Sequence, residues 1–305
     1  MFFLKKQLIS SFLLLLTAII WGFSFVAQAV SQVGTLTFTG LRFVLAAAVT
    51  LPICLIFSRG ISKETVKETV KCGLIVGVVL FVASILQQFA IDLGPSDDSM
   101  KAGFITGLYS VFVPVAGFIF LKKKTGFTTW IGVVAAISGL FLLCNVGSAS
   151  LHFTDILLFA SVPIWTTHIL LIDHLNGRGR IDPLVLSLTQ TAVCGILSLI
   201  CAIIFEPDSL FSASALATSW LPILYGGVMS GGIAFALQVV GQKNANPTVA
   251  AILLSTESMF SAIGNLLIIG VDMTTPQFIG CGIIFFGIII SQINVAELPK
   301  RKKLT

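Results

Sequence analysis

Ten times along this chain about twenty residues pass with hardly a charge, over approximately 8–29, 36–57, 72–91, 100–121, 127–146, 153–172, 183–205, 219–240, 248–270 and 276–295. Roughly 20 apolar residues rising about 1.5 Å each cross a hydrocarbon core of about 30 Å, so the repetition prescribes helices that span a bilayer. The fourth run is the clearest. MKAGFITGLYSVFVPVAGFIFLKKK begins at a lone Lys101, carries Gly103, Gly107 and Pro114, and stops at Lys122, Lys123 and Lys124. The chain is 56% hydrophobic and 10% charged, with mean hydropathy +1.03. An average soluble domain has about 45–50% apolar and about 25% charged residues, and a soluble fold could not hide the excess. The expected fold is all-α and integral to the membrane, with ten transmembrane helices and connections too short for an extramembrane domain.

Lys and Arg stay on the cytoplasmic side of membrane spans. With the N-terminus inside, sixteen of the eighteen basic residues fall in inner segments, the exceptions being Arg42 and Lys101. The outer loops carry Asp97, Asp98, Glu206, Asp208 and Asp272, with no Lys or Arg of their own. Both termini are therefore expected in the cytoplasm, in the inner (plasma) membrane of the cell. The formal charge of +5 reads as topology, and no nucleic-acid partner is expected. Lys5 and Lys6, the apolar run behind them and Ala27-Gln28-Ala29 imitate a cleavable signal. The run continues to Val30 without a polar break, so it reads as an uncleaved first helix. The six cysteines form no CxxC pair and read as buried thiols, and no metal site is expected.

A shift of 148 residues lays 102–146 on 250–294 without a gap. Ala102, Ser110, Phe112, Ile131, Gly132 and Gly139 then meet Ala250, Ser258, Phe260, Ile279, Gly280 and Gly287, and Tyr109 falls opposite Glu257. Upstream of that stretch, Trp21 in the first run pairs naturally with Trp165 in the sixth. Five spans per half is an odd number, so equivalent halves must insert upside down. Inverted repeats of this kind build many secondary transporters around one central site. The expected division is 1–147, 148–296 and a basic tail, 297–305.

The residues resemble the drug/metabolite transporter superfamily, specifically ten-helix permeases made of two EamA repeats. The resemblance rests on AIIWGFSFVAQ (Ala18 to Gln28), LRF (Leu41 to Phe43) and KAGFITGLYSVFVP (Lys101 to Pro114). Trp130-Ile131-Gly132, Ser138-Gly139-Leu140 and a ninth run containing Glu257 complete it. The sequence departs from the family where Lys122 to Lys124 replace an acidic end of the fourth helix, and where Ser258 rather than Pro follows Glu257. The resemblance implies a permease moving a small metabolite, an amino acid or related compound, by alternating access, with export favoured over uptake. It implies no cofactor and no enzymatic activity. No GxxxxGK[ST] is present, and three histidines, His152, His168 and His174, form no HExxH pattern. A membrane enzyme, a structural subunit and a channel are the competing classes.

An ionisable group inside a span costs about 2.5–3.5 kcal/mol at a helix centre. Glu257 is therefore either a substrate-amine or proton-coupling site, or a carboxyl held by a structural partner. Arg42 either contacts a substrate carboxylate or braces the outer interface, and Lys101 reads as an interfacial anchor. Trp21, Ser24 and Gln28 share a helical face at i, i+3 and i+7. With Gln88, Thr106, Tyr109, Trp165, His168, Gln238 and Glu257 they make the candidate substrate-binding set. Taken singly, each also reads as a polar group bonding a neighbouring helix, and His168 as a packing residue. Gly226, Gly227, Gly231 and Gly232 permit close helix approach, and Pro114 and Pro163 are expected to kink their helices.

Overall fold

The computed structural model describes residues 2–94, 99–122, 126–143, 152–270 and 272–292. Every regular element among them is helical. They are α1 (Phe2–Ala29), α2 (Thr35–Phe57), α3 (Lys63–Leu93), α4 (Ser99–Gly107), α5 (Tyr109–Leu121), α6 (Phe127–Leu143), α7 (Phe153–Gly177) and α8 (Pro183–Phe205). The short α9 (Pro207–Leu210) and α10 (Ala213–Leu224) lead into a π-helical stretch, Tyr225–Ala234. Then come α11 (Phe235–Gln242), α12 (Pro247–Ser255), α13 (Glu257–Gly264), a π turn (Asn265–Ile269) and α14 (Thr275–Gln292). Eight helices, counting the α4–α5, α10–α11 and α12–α13 runs as one each, are long and apolar enough to cross a membrane; Phe127–Leu142 and Thr275–Ile290 are apolar but shorter. Lys123, Lys124, Asp97, Asp98, Cys144, the tail from 297 and the side chain of Lys101 lie outside the described residues.

The chain is built inside out relative to a soluble protein. Gln28, Gln88, Gln190, Gln238, Glu257 and Asn265 are buried, while Phe57, Phe120, Phe127 and Phe205 on the periphery are exposed. Water penalises exposed aromatic rings and hydrocarbon does not, so this distribution is stable in a bilayer.

Packing follows the 148-residue shift. α6 lies on α14 with no room between backbones: a Cβ on Gly139 would stand 2.6 Å from the Gly280 carbonyl oxygen, and one on Gly287 would stand 3.0 Å from that of Gly132. Gly139 and Gly287 are equivalents under the shift, as are Gly132 and Gly280, so each contact is answered by its mirror in sequence. The later residue of one helix meets the earlier residue of the other, which makes the pair antiparallel and its two-fold axis perpendicular to the helices. The rest of the packing repeats the relation. α1 packs on the π stretch and α11 while α7 packs on α3, and α7 packs on α4 and α5 while α1 packs on α12 and α13.

Two interruptions sit 148 residues apart, at Leu108 between α4 and α5 and at Thr256 between α12 and α13. At each the backbone tightens to a three-residue turn, Leu108 N donating to Ile105 O (3.1 Å) and Thr256 N to Leu253 O (3.3 Å). Side chains bond back to carbonyls at both breaks: Ser110 Oγ donates to Gly107 O (2.8 Å), and Thr256 Oγ1 shares Leu253 O with its own backbone N (2.7 Å). Such back-bonding loosens and bends a helix. The expected kinks at the prolines do not account for these breaks. Pro114 lies inside α5, beyond the interruption, and α7 runs unbroken through Pro163. The third run also starts earlier than expected, at Lys63, because Ser62 accepts from Thr65 N (3.1 Å) and caps a polar first stretch.

Candidate functional site

A cavity lies where α1, α2, α3, the α4–α5 and α12–α13 interruptions, α7, the π stretch and α11 converge. Its free space is about 40 Å³. One water needs roughly 10–15 Å³, so there is room for a few waters.

The floor is the meeting of the two interruptions. Tyr109 opens α5 and Glu257 opens α13, and Tyr109 OH donates to Glu257 Oε1 at 3.1 Å. Both are buried, Glu257 with 4% of its surface exposed. The bonded pair are equivalents under the 148-residue shift, so the contact lies on the relation that interchanges the two halves.

Aromatic rings form one wall. Trp21 stands 6.5 Å from Trp165 and 4.8 Å from Phe235, and Phe43 stands 5.6 Å from Phe235, ring centre to ring centre. Trp21 is held by Nε1 donating to Ser230 O at 3.2 Å. That carbonyl belongs to the π stretch, where the changed hydrogen-bond register offers backbone oxygens to neighbouring side chains; Thr17 Oγ1 takes Ala234 O in the same way at 3.3 Å. Glycines let this stretch close on α2. Single π turns are frequent at functional sites.

The opposite charge comes from Arg42, 6% exposed. Its guanidinium carbon lies 5.2 Å from the ring centre of Phe38 and 4.9 Å from that of Phe43, which compensates part of its desolvation. The cavity thus holds one basic and one acidic side chain between aromatic faces. Many wall atoms are buried without a hydrogen-bond partner: Arg42 Nε, Gln87 Oε1, Thr106 Oγ1, Trp165 Nε1, Gln28 Oε1, Ser84 Oγ and both ends of the Gln238 amide. Native interiors satisfy nearly all such groups, so a concentration around one void marks a place that receives polar atoms from water or a ligand.

Of the residues singled out in the sequence, Trp21, Ser24, Gln28, Arg42, Thr106, Tyr109, Trp165, Gln238 and Glu257 line this cavity. Gln88 and His168 do not. Gln88 is turned to Asp92, its Nε2 donating to Oδ1 at 2.9 Å, and its neighbour Gln87 faces the cavity, because consecutive helical residues point about 100° apart. His168 stands behind the aromatic wall, edge-on to Trp165 and Phe235, with Nε2 bonded to Gln190 Oε1 at 2.9 Å. Sequence reasoning missed Phe25, Phe43, Ser84, Ile169, Ser230 and Phe235. Ser84 was within reach of it, three residues before Gln87 on the same face. Ser230 and Phe235 were not, since a π stretch shifts the helical wheel.

Hydrogen bonds tie α2 to the α8–α9 segment at both ends of the bundle. At the end holding the α1–α2 loop, the Glu206 carboxylate accepts from Leu36 N (3.1 Å), Thr37 N (2.9 Å) and Thr37 Oγ1 (3.0 Å), capping α2 from the far half of the chain. Thr35 Oγ1 donates to Asp92 Oδ2 beside it, and Gly34 N to Ser209 Oγ at 2.6 Å. At the other end Asp182 caps α8 through Leu184 N (3.1 Å) and Val185 N (2.9 Å) and accepts from Ser58 Oγ (2.8 Å).

Helices with apolar exteriors around a polar, charged cavity define a multi-pass membrane transporter. The model of the EamA-like transporter family matches residues 8–145 and again 152–292. The chain belongs to that family. An uncharacterized transporter of Archaeoglobus fulgidus is 25% identical over 295 residues, covering 95% of this chain and 88% of that one. The uncharacterized transporter YyaM of Bacillus subtilis is 28% identical over 273 residues, covering 85% and 84%. One solved crystal structure superposes with a TM-score of 0.76 at 18% identity, over 93% of this chain and 98% of that one, which speaks to the fold alone.

Proposed function

We propose that this chain is a ten-span permease of the inner (plasma) membrane, with both termini cytoplasmic, that exports a small amphipathic metabolite, an amino acid or related compound, by alternating access. In this reading the eight long helices and the shorter α6 and α14 all cross. α6 is 17 residues long, which at about 1.5 Å per residue gives roughly 25 Å, close to the bilayer core of about 30 Å. The halves, 1–147 and 148–296, insert as inverted repeats, consistent with the antiparallel pairing of α6 and α14.

The observation that carries the proposal is the cavity between the halves, lined by Arg42 and Glu257 as its basic and acidic groups and by aromatic rings. Arg42 would take a carboxylate, Glu257 an ammonium group, and the rings a hydrocarbon side chain. The ties of α2 to the α8–α9 segment, Glu206 at one end and Ser58 to Asp182 at the other, support a state held at both ends, from which either would open in turn. Substrate entry requires the walls to part, as rocking halves would allow. Coupling, where present, would run through Glu257.

Counterflow in proteoliposomes across amino acids, purines and lipophilic amines tests this reading. The expected outcome is saturable exchange of zwitterions, with the singly charged analogues excluded. Exchange of lipophilic amines alone, or conductance above carrier turnover, would refute it.

A further inference from the structure

A second space lies outside the central cavity, in a groove of about 480 Å³ between α5 and α7 on the periphery of the bundle. On α5 it follows Phe112, Ala116 and Phe120, one residue per turn, and on α7 it runs from Pro163 to His174. Two threonines face it, but Thr166 Oγ1 donates to Val162 O (2.9 Å) and Thr167 Oγ1 to Pro163 O (2.8 Å). Their hydroxyls are spent within their own helix, so the groove presents hydrocarbon as far as His174 at its end. No polar atom there waits for a ligand, in contrast to the central cavity.

The eleven rises from Pro163 to His174, at about 1.5 Å each, make the groove roughly 16 Å long, matching one leaflet's share of a hydrocarbon core of about 30 Å. One end is basic. Arg178 Nη2 donates to His174 Nε2 at 3.1 Å, and both side chains are exposed. Gly117 of α5 lies level with Leu170 of α7, where a Cβ on the glycine would be 3.7 Å from Leu170 Cδ2. In the ten-span topology the two helices run in the same direction, so Lys122 and His174 both fall about one turn further on. Asp173, the nearest acidic residue along α7, is buried.

We infer that this groove seats one anionic phospholipid of the cytoplasmic leaflet, an acyl chain lying between α5 and α7 and the phosphate held by Lys122 and Arg178. The leaflet assignment rests on the topology proposed above; the seat itself does not depend on what the central cavity carries. Its walls come from both repeats, α5 following the interruption at Leu108, so the lipid bridges the two halves.

Native mass spectrometry of the purified protein, loaded from nanodiscs of equal parts palmitoyl-oleoyl phosphatidylglycerol and phosphatidylcholine, tests the inference. The wild type is expected to retain one phosphatidylglycerol, and Ala116→Trp, which fills the groove, to lose it. Thr167→Trp, at the exposed rim, gives the same reading should Ala116→Trp not fold. Arg178→Gln and Lys122→Asn, the latter suited to the left-handed backbone at φ 51°, should each lower the preference over phosphatidylcholine by about five-fold. Retention of no phospholipid by the wild type, or retention unaffected by both tryptophan variants, would overturn the inference. So would a headgroup preference indifferent to both charge variants. Counterflow in the same preparations keeps the two readings apart, because transport without a retained lipid overturns the seat alone.

Discussion

Glu257→Gln is the most informative single substitution. The side chain keeps its shape, and its amide oxygen still accepts from Tyr109 OH, which lies 3.1 Å from Oε1 in the wild type. What is lost is the capacity to carry a negative charge on the cavity floor, where 4% of the residue is exposed and water competes little. A hydrogen bond to a charged group in such a place contributes about 1.5–3 kcal/mol. At about 1.4 kcal/mol per decade the half-saturation concentration for an ammonium-bearing substrate should rise roughly 10- to 150-fold. Folding stability should change far less, because the Tyr109 bond persists. The assay is concentration-dependent counterflow at several pH values, alongside thermal unfolding. Unchanged half-saturation and pH dependence in a folded variant would refute the assignment of Glu257 to substrate or proton. A loss of stability equal to the loss of binding would return it to a structural role.

Arg42→Lys retains charge but loses the planar fork; the loss of one charge-assisted bond of about 1.5 kcal/mol should weaken a carboxylate substrate roughly ten-fold in counterflow, and unchanged half-saturation would count against the carboxylate contact. Gly139→Ala should cost about 1–3 kcal/mol in unfolding measurements, since its Cβ would meet the Gly280 carbonyl at 2.6 Å. Gly287→Ala added to it should cost less than the sum, because one separation of α6 from α14 accommodates both; strict additivity would contradict the reciprocal packing. Glu206→Ala removes the acceptor for Leu36 N and Thr37 N and should lower stability by about 0.5–2 kcal/mol, as loss of a helix cap does. Its tie between halves should also shift accessibility of a cysteine introduced in the cavity toward the α1–α2 loop side, and unaltered labelling there would count against the tie as a closure.

Much of this molecule was legible in its linear order. Apolar runs of bilayer length dictate helices, because a backbone in hydrocarbon must satisfy its own hydrogen bonds. The 148-residue shift, read from six identities, placed Tyr109 opposite Glu257, and those side chains are bonded in the fold. Charge inside a span is so costly that Arg42 and Glu257 stood out without any structure. Neighbouring positions on one helix were harder: Gln87 and Gln88 are indistinguishable by composition, and only the packing of α3 decides which one sees the cavity. His168 was drawn to the site by its chemistry and kept out by the ring of Phe235. The π stretch at Tyr225–Ala234, which turns the Ser230 carbonyl toward Trp21, follows from contacts with α2 that lie some 180 residues away in the chain. Hydropathy is a property of each segment by itself, and so the sequence alone determined which segments are helices and where charge resides. Which face each helix turns inward depends on every neighbour at once, and that was decided by the tertiary structure.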